Sequence, residues 1–117
     1  MALPRPKRIR RTAEFAAVRT KGRSWKGRYL TIGLLPLETG PPRAGFAVTR
    51  KVGNAVTRNL VRRRLQAILA LALPAIPRPC LVVTIPRPSA ATIPFALLAA
   101  DWQQTARRAG LIPSPPA

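Results

Sequence analysis

The segment from Gly45 to Gln66 constrains the fold more than any other part of the chain. Phe46 and Val48 alternate with smaller or polar residues, and a period of two is typical of a strand with one buried face. The Gly53-Asn54 pair then predicts a break, because an asparagine side chain can cap the first free amides of a helix. A strand, a turn and a helix are therefore expected in direct succession.

The helix predicted after this turn has one apolar face and one polar face. At about 100° per residue, the apolar face collects Val61, Leu65, Ile68, Leu69 and Ala72. The adjacent polar face collects Asn59, Arg62, Arg63 and Gln66. The apolar face is expected in the core, and the cationic side is expected at the surface.

Eight side chains of the turn and helix can donate hydrogen bonds to phosphates: Arg50, Lys51, Asn54, Arg58, Asn59, Arg62, Arg63 and Arg64. Arg58 falls in the first helical turn, where the helix macrodipole makes a cation unfavourable by about 0.3–1 kcal/mol. A bound phosphate would reverse that sign, and arginine donates to phosphate oxygens in pairs. A solvated basic face is the other interpretation of the same residues.

The charge of the whole chain favours an anionic partner. The 117 residues include 21 lysines and arginines but only three acids, Glu14, Glu38 and Asp101, for a formal charge of +18. Such a chain attracts a polyanion, with an affinity that falls as salt rises. Its preference for arginine over lysine suits phosphate contacts, although a GC-rich genome would produce the same preference.

The polypeptide has few residues that could carry chemistry. It has no histidine, one cysteine and three separated acids, so we expect no catalytic residue and no metal site. The single Cys80 cannot form an internal disulfide, which is compatible with a reducing cytoplasm. The longest apolar run, Leu65 to Leu73, is too short to span a bilayer, and no signal peptide is visible. We therefore expect a cytoplasmic protein without a membrane partner.

Periodicity and the positions of glycine and proline predict the remaining elements. These are a first helix capped by Thr12 and ended by Lys21-Gly22, strands at Tyr29–Leu35, Gly45–Arg50 and Cys80–Ile85, and a last helix from Pro94 to Gly110. The first two strands are expected to form an antiparallel hairpin, and the third is expected at the centre of the sheet. Helices on one sheet face would make a two-layer α+β domain, which leaves the other face or a groove beside the first helix for a ligand.

The chain is expected to form one domain with short extensions. Residues 1–11 are predicted to be a flexible basic segment, residues 12–110 a single domain, and residues 111–117 a loose tail. Trp102 is predicted to lie in the core. Trp25, which has cations around it, either covers the edge of a core or stacks on a base.

The segment from Arg50 to Leu65 closely resembles the signature of the bacterial ribonuclease P protein subunit. That signature has a basic pair, a Gly-Asn or Gly-Lys turn, and Arg-Asn-Arg followed by further basic residues; here it reads RKVGNAVTRNLVRRRL. Other elements fall in the family's order, from a first helix that carries Phe15 to a last helix that begins near Phe95. The resemblance spans roughly Arg8 to Arg108.

The resemblance implies the protein subunit of an RNA-based endoribonuclease that removes the 5′ leader from precursor tRNA. Catalysis would belong to a large RNA, magnesium would be bound mainly by that RNA and the substrate, and no protein partner would be required. The implied fold is a small α/β sandwich with a mixed sheet, about three helices and a left-handed β-α-β crossover. A basic RNA-packaging or ribosomal protein is the alternative. A membrane-active cationic protein is disfavoured by the interrupted apolar runs.

The resemblance also implies roles for individual residues. RNA binding falls to Arg50, Lys51, Asn54, Arg58, Asn59, Arg62, Arg63 and Arg64, and the leader cleft to Phe15, Arg28 and Lys51. Leu60 stands where the family has its second arginine, so one RNA contact is expected to be missing. Arg19 and Gly33 stand where the family often has aromatic residues, so base stacking in the cleft is expected to be weaker.

Overall fold

The structure, a computed structural model, describes residues 3–113. Within this range the chain forms seven regular elements: α1 (Thr12–Lys21), β1 (Arg23–Lys26), β2 (Leu30–Pro36), β3 (Arg43–Phe46), α2 (Ala55–Ala72), β4 (Cys80–Pro86) and α3 (Phe95–Arg108). Short 3-10 turns lie at Arg5–Lys7, Arg50–Val52, Leu73–Ala75 and Pro88–Ala91. The predicted α+β fold with a small mixed sheet is confirmed.

The four strands form one sheet in the order β1-β2-β4-β3. β4 pairs antiparallel with β2 and parallel with β3. The apolar segment from Cys80 to Ile85 is therefore central, as its sequence predicts. A continuous apolar run suits this position, because residues 80–84 are buried on both faces of the sheet.

The prediction that the strands at Tyr29–Leu35 and Gly45–Arg50 form a hairpin is wrong, because β4 lies between β2 and β3. β3, α2 and β4 instead form a β-α-β unit whose two strands are parallel neighbours. Apolar strands joined by a turn favour a hairpin locally. Here β4, which is buried along most of its length, pairs with β2 along one edge and with β3 along the other. β3 also ends at Phe46, earlier than expected, and Arg50 begins a 3-10 turn.

The helices cover both faces of the sheet, which corrects the predicted arrangement on one face. On one face, Ile32 and Val82 belong to a buried cluster with Trp102 of α3 and with the apolar face of α2. On the other face, Val18 of α1 belongs to a smaller cluster with Val83. Because both faces of the sheet are apolar, each must be buried by helices, and α1 buries the second face.

The two tryptophans lie in different surroundings. Trp102 is fully buried, as predicted, and its indole N–H donates to Oγ1 of Thr84 at 3.0 Å. Trp25 is half-buried on the edge strand β1, and the guanidinium of Arg23 lies 5.6 Å from its ring centre. Trp25 is not among the described side chains that pack against either buried cluster, so both interpretations of its role stay open.

Residues outside the predicted domain limits contribute to the core. Leu3 and Leu111 are each 1% exposed. Ile9 is also buried, and its backbone N–H donates to the carbonyl of Ala44 at 2.8 Å, beside β3. The flexibility predicted for residues 1–11 in solution stays a prediction. Residues 114–117 of the predicted tail lie outside the described range.

α1 begins one residue earlier than its predicted cap implies, because Arg11 and not Thr12 is its N-cap residue. Of the helices within residues 3–113, none combines the length and the apolar composition needed to cross a membrane.

Candidate nucleic-acid interface

The turn before α2 forms as the sequence predicts. Asn54 is the N-cap residue, and its Oδ1 accepts a hydrogen bond from the backbone N–H of Thr57 at 2.9 Å. Gly53 has a φ of 153°, and a Cβ atom there would lie 2.9 Å from a side-chain carbon of Thr57. A glycine is therefore required at this turn, which sets the direction in which α2 leaves the Arg50–Val52 turn.

The two faces of α2 are also confirmed. The buried positions are Val61, Leu65, Ile68 and Leu69, while Ala72 is half-buried. On the polar side, a shallow depression is lined by Val56, Asn59, Arg62, Arg63 and Gln66. The helix thus contributes to the core along one face and presents cations and amides along another.

The arginines of this polar face differ in their local contacts. Nη1 of Arg62 donates to Oδ1 of Asn59 at 2.9 Å, and Nη1 of Arg58 lies 3.5 Å from the carbonyl oxygen of Gly53. Arg63 is exposed, and its guanidinium makes no hydrogen bond with any residue in the described range. Arg62 is therefore partly preorganised, whereas Arg63 is free to follow a ligand.

Three other predicted RNA-binding residues lie outside this face. Arg50 and Lys51 are exposed in the 3-10 turn that precedes the helix. Arg64 lies elsewhere on the helix surface, and its Nη1 donates to the carbonyl of Ile93 at 2.9 Å. Arg64 therefore ties α2 to the loop before α3, a structural role that its sequence position does not reveal.

In the part of the chain that the structure describes, no carboxylate pairs with a cation of α2. Across residues 3–113 the one ion pair joins Glu14 of α1 to Arg43 of β3. Asp101 is buried in α3, and Glu38 is exposed in the loop between β2 and β3. The same range has no group of three histidine, cysteine or acidic residues that could hold a metal ion. Within residues 3–113, nothing therefore neutralises the positive charge of α2.

A groove of about 290 Å³ lies beside α1, on the sheet face opposite α2 and α3. Its walls come from α1, from the neighbouring strands and from the residue after β3. The lining residues are Phe15, Val18, Arg19, Gly22, Arg23, Ser24, Thr31, Gly33, Ala47, Val83 and Ile85. The sequence predicts a ligand site beside the first helix, and the groove occupies that position.

Phe15 lies in the groove, as the resemblance implies. A Cβ atom on Gly45 would come within 2.7 Å of its ring, so the glycine in β3 lets the ring lie close to the sheet. Arg19 and Gly33, the two positions without the family's aromatic residues, line the same groove. The groove therefore offers one aromatic ring and additional charge.

Arg28 and Lys51, the other predicted cleft residues, do not line the groove, and their role in leader binding stays a prediction. The backbone N–H groups of Arg28 and Tyr29 donate to the two carboxylate oxygens of Asp101, at 2.9 and 2.8 Å. The guanidinium of Arg28 lies 5.6 Å from the ring centre of Tyr29. Asp101, only 8% exposed, thus holds the backbone that carries Arg28.

This role of Asp101 was not predicted from the sequence, in which the residue counts only as a charge. The signal was its position in α3, where Leu98, Trp102 and Thr105 mark the buried face. An acid on a buried helical face needs hydrogen-bond donors, and two backbone amides provide them here.

Comparisons with known proteins agree on one family. The family model described as Ribonuclease P matches residues 3–110. The ribonuclease P protein component of Acidothermus cellulolyticus is 43% identical over 104 residues, which cover 87% of each chain. That of Chloroflexus aurantiacus is 37% identical over 109 residues, 92% of this chain and 81% of the relative. The RNase P protein of Staphylococcus aureus has the same fold, with a TM-score of 0.83 at 23% identity, over 91% of this chain and 97% of that one.

Proposed function

The chain belongs to the ribonuclease P protein family, and from that premise we propose which RNA each of its two surfaces binds. It is the protein component of a tRNA-processing ribonucleoprotein, and such a component has an RNA subunit as its partner. In this proposal the polar face of α2 and the Arg50–Val52 turn bind the catalytic RNA. The groove beside α1 binds the single-stranded 5′ leader of precursor tRNA.

The observation that carries this proposal is the uncompensated charge around the first half of α2. Arg58, Arg62 and Arg63 have no carboxylate partner in the described range, and the exposed Arg50 and Lys51 extend the same surface. RNA phosphates would supply the missing counter-charge, and the release of their counter-ions would make binding strongly salt-dependent. If these cations were only solvated, substituting them would not change the salt dependence of RNA binding.

The groove has the features that single-stranded RNA requires. The ring of Phe15 offers a surface on which a base can stack, and Arg19 and Arg23 add positive charge to the lining. Ile85, 38% exposed, adds apolar surface at the same site. Because only one aromatic ring lies here, phosphate contacts contribute a larger share of leader binding than stacking does.

Magnesium belongs to the RNA subunit and the substrate in this proposal. The described residues do not fit a magnesium site, since no three potential ligands lie together. Glu14 and Asp101 are already engaged by Arg43 and by two backbone amides. The chain contributes by screening the repulsion between phosphates of the two RNAs. The cytoplasm, where precursor tRNA is made, is the proposed location.

Single-turnover cleavage of precursor tRNA by a bacterial ribonuclease P RNA tests this proposal, with and without the protein near physiological magnesium. We expect a large stimulation for a substrate with a leader and a smaller one when the leader is cut short. RNA binding without stimulation would instead indicate a general RNA-binding protein, the alternative that composition alone leaves open.

Phe15→Ala and Phe95→Ala form a matched pair for the groove. Each removes one phenyl ring; Phe15 lies in the groove, whereas Phe95 is 41% exposed at the start of α3. We expect Phe15→Ala to weaken precursor binding by about tenfold, since base stacking on an aromatic ring contributes about 1–3 kcal/mol. Phe95→Ala should leave binding unchanged. Equal losses for the two variants would contradict leader binding in the groove.

A further inference from the structure

Three arginines surround the one paired acid at the start of α1. Arg10, Arg11, Glu14 and Arg43 line a depression that contains no apolar side chain. Arg43 lies in β3, Arg10 and Arg11 directly precede α1, and Glu14 lies in its first turn. None of the four belongs to the polar face of α2 or lines the groove, so neither proposed surface accounts for them.

Glu14 and Arg43 pair through both carboxylate oxygens. Nη1 of Arg43 donates to Oε1 at 3.2 Å, and Nη2 donates to Oε2. The hydrogen bond from Arg43 is the main reason that the pKa of Glu14 lies below its ordinary value; partial burial opposes this shift, and the backbone of Arg11 and Arg10 supports it. Glu14 is therefore an anion with two oxygens on one guanidinium, the arrangement that a phosphate also adopts with arginine.

The charges of this cluster do not balance. Three guanidiniums face one carboxylate, which leaves a local charge of +2 from these four residues. Arg10 and Arg11 are exposed, and their side chains have no acidic partner in the described range. The cluster thus has charge to bind an anion in addition to Glu14 or in its place.

We propose that Arg10, Arg11 and Arg43 form a third RNA-binding site, for a phosphodiester group, and that Glu14 occupies this site in the free protein. On RNA binding, a phosphate takes the place of the Glu14 carboxylate on Arg43. Glu14 therefore weakens binding at this site and disfavours RNAs that do not also engage the other two surfaces. The inference rests on the proposed function, because that function makes RNA the ligand.

Two RNAs can supply this phosphodiester. Phe15 directly follows Glu14 on α1 and lines the groove, so a leader longer than the groove passes close to the cluster. The catalytic RNA is the second source, since α2 holds it on the same small protein. Both sources offer the same chemistry, and the test separates them.

Glu14→Gln and Glu38→Gln form the decisive pair. Each removes one negative charge, which raises the formal charge from +18 to +19, but Glu38 is exposed and has no ion-pair partner in the described range. We expect Glu14→Gln to raise RNA affinity about two- to fivefold beyond Glu38→Gln, the range of a surface ion pair. Equal effects of the two variants would overturn the proposal.

The RNA in the assay identifies the source. A gain in binding to the isolated ribonuclease P RNA assigns the site to that RNA. A gain seen only when the holoenzyme binds a precursor with a long leader assigns it to the leader. A gain in neither assay overturns the proposal. Adding Arg43→Gln to Glu14→Gln should abolish the gain, and thermal unfolding of each variant verifies that it is folded.

This test and that of the proposed function fail in different ways. Stimulation of cleavage by the unchanged protein tests the proposed function. The ratio of RNA affinities between Glu14→Gln and Glu38→Gln tests the arginine cluster, and it requires no cleavage. If the protein stimulates cleavage but the two variants bind RNA equally well, the proposed function stands and the third site is ruled out.

Discussion

Arg62 and Arg63 are adjacent on α2, but their side chains differ in their hydrogen bonds. The guanidinium of Arg62 donates to Asn59 at 2.9 Å, whereas that of Arg63 is exposed and makes no hydrogen bond within residues 3–113. An arginine that contacts one RNA phosphate contributes about 0.7–0.9 to the logarithmic salt slope, whichever way it is restrained. The slope therefore reports a phosphate contact more directly than the affinity does.

Arg63→Ala should lower affinity for the ribonuclease P RNA and reduce the salt slope by about one phosphate contact. Arg78→Ala is the matched control, because Arg78 is an exposed cation whose guanidinium donates to the carbonyl of Gly110, away from the proposed interface. Binding measured at several salt concentrations should show a flatter dependence for Arg63→Ala alone. The same slope in both variants would mean that only the total charge matters.

At the scale of the element, α2 combines a buried face with a surface for RNA. Placing the same carboxylate on each face in turn tests the two roles separately. Val61 is fully buried, while Val56 is 76% exposed in the first helical turn. A carboxylate at position 61 would lose its hydration in the core, whereas one at position 56 stays in water near the positive end of the helix dipole.

Val61→Asp should reduce the free energy of unfolding by about 3 kcal/mol or more, and Val56→Asp should change it by less than about 0.5 kcal/mol. Urea unfolding followed by circular dichroism measures both. The folded Val56→Asp variant should still bind RNA more weakly, because its carboxylate lies in the depression with Arg62 and Arg63. Similar losses of stability in the two variants would show that the assignment of the helical faces is wrong.

At the scale of the whole molecule, the charge of +18 acts on folding and on binding with opposite signs. Like charges repel one another in the compact state, and salt screens that repulsion over about 10 Å at 0.1 M. The Tm should therefore rise with ionic strength, while affinity for RNA falls.

Thermal unfolding in chloride and in sulfate, compared at equal ionic strength, measures this effect. Equal increases in Tm would indicate screening alone. A larger increase in sulfate that already appears at low millimolar concentration, where exclusion of sulfate from the protein surface has little effect, would indicate that anions bind at particular sites. A Tm that stays constant or falls as ionic strength rises would contradict self-repulsion as a destabilising term.

The sequence by itself determined most of the elements and the chemistry they present. The Asn54 cap, the two faces of α2, the central position of β4 and the buried Trp102 all follow from signals within a few residues, such as periodicity, capping and proline. The signature in α2 identified the family for the same reason. Its spacing of cations is a local property of one helix.

Only the tertiary structure decided which elements meet. β4 separates the two strands that the sequence pairs in a hairpin, and α1 covers the second face of the sheet. Asp101 meets the backbone of Arg28 across 73 residues, and Glu14 meets Arg43 across 29. Such contacts depend on how the whole chain buries its apolar surface, because the free energy of burial is summed over all elements at once. A local pattern predicts which side chains are present, but only the packed chain determines which of them remain free for RNA.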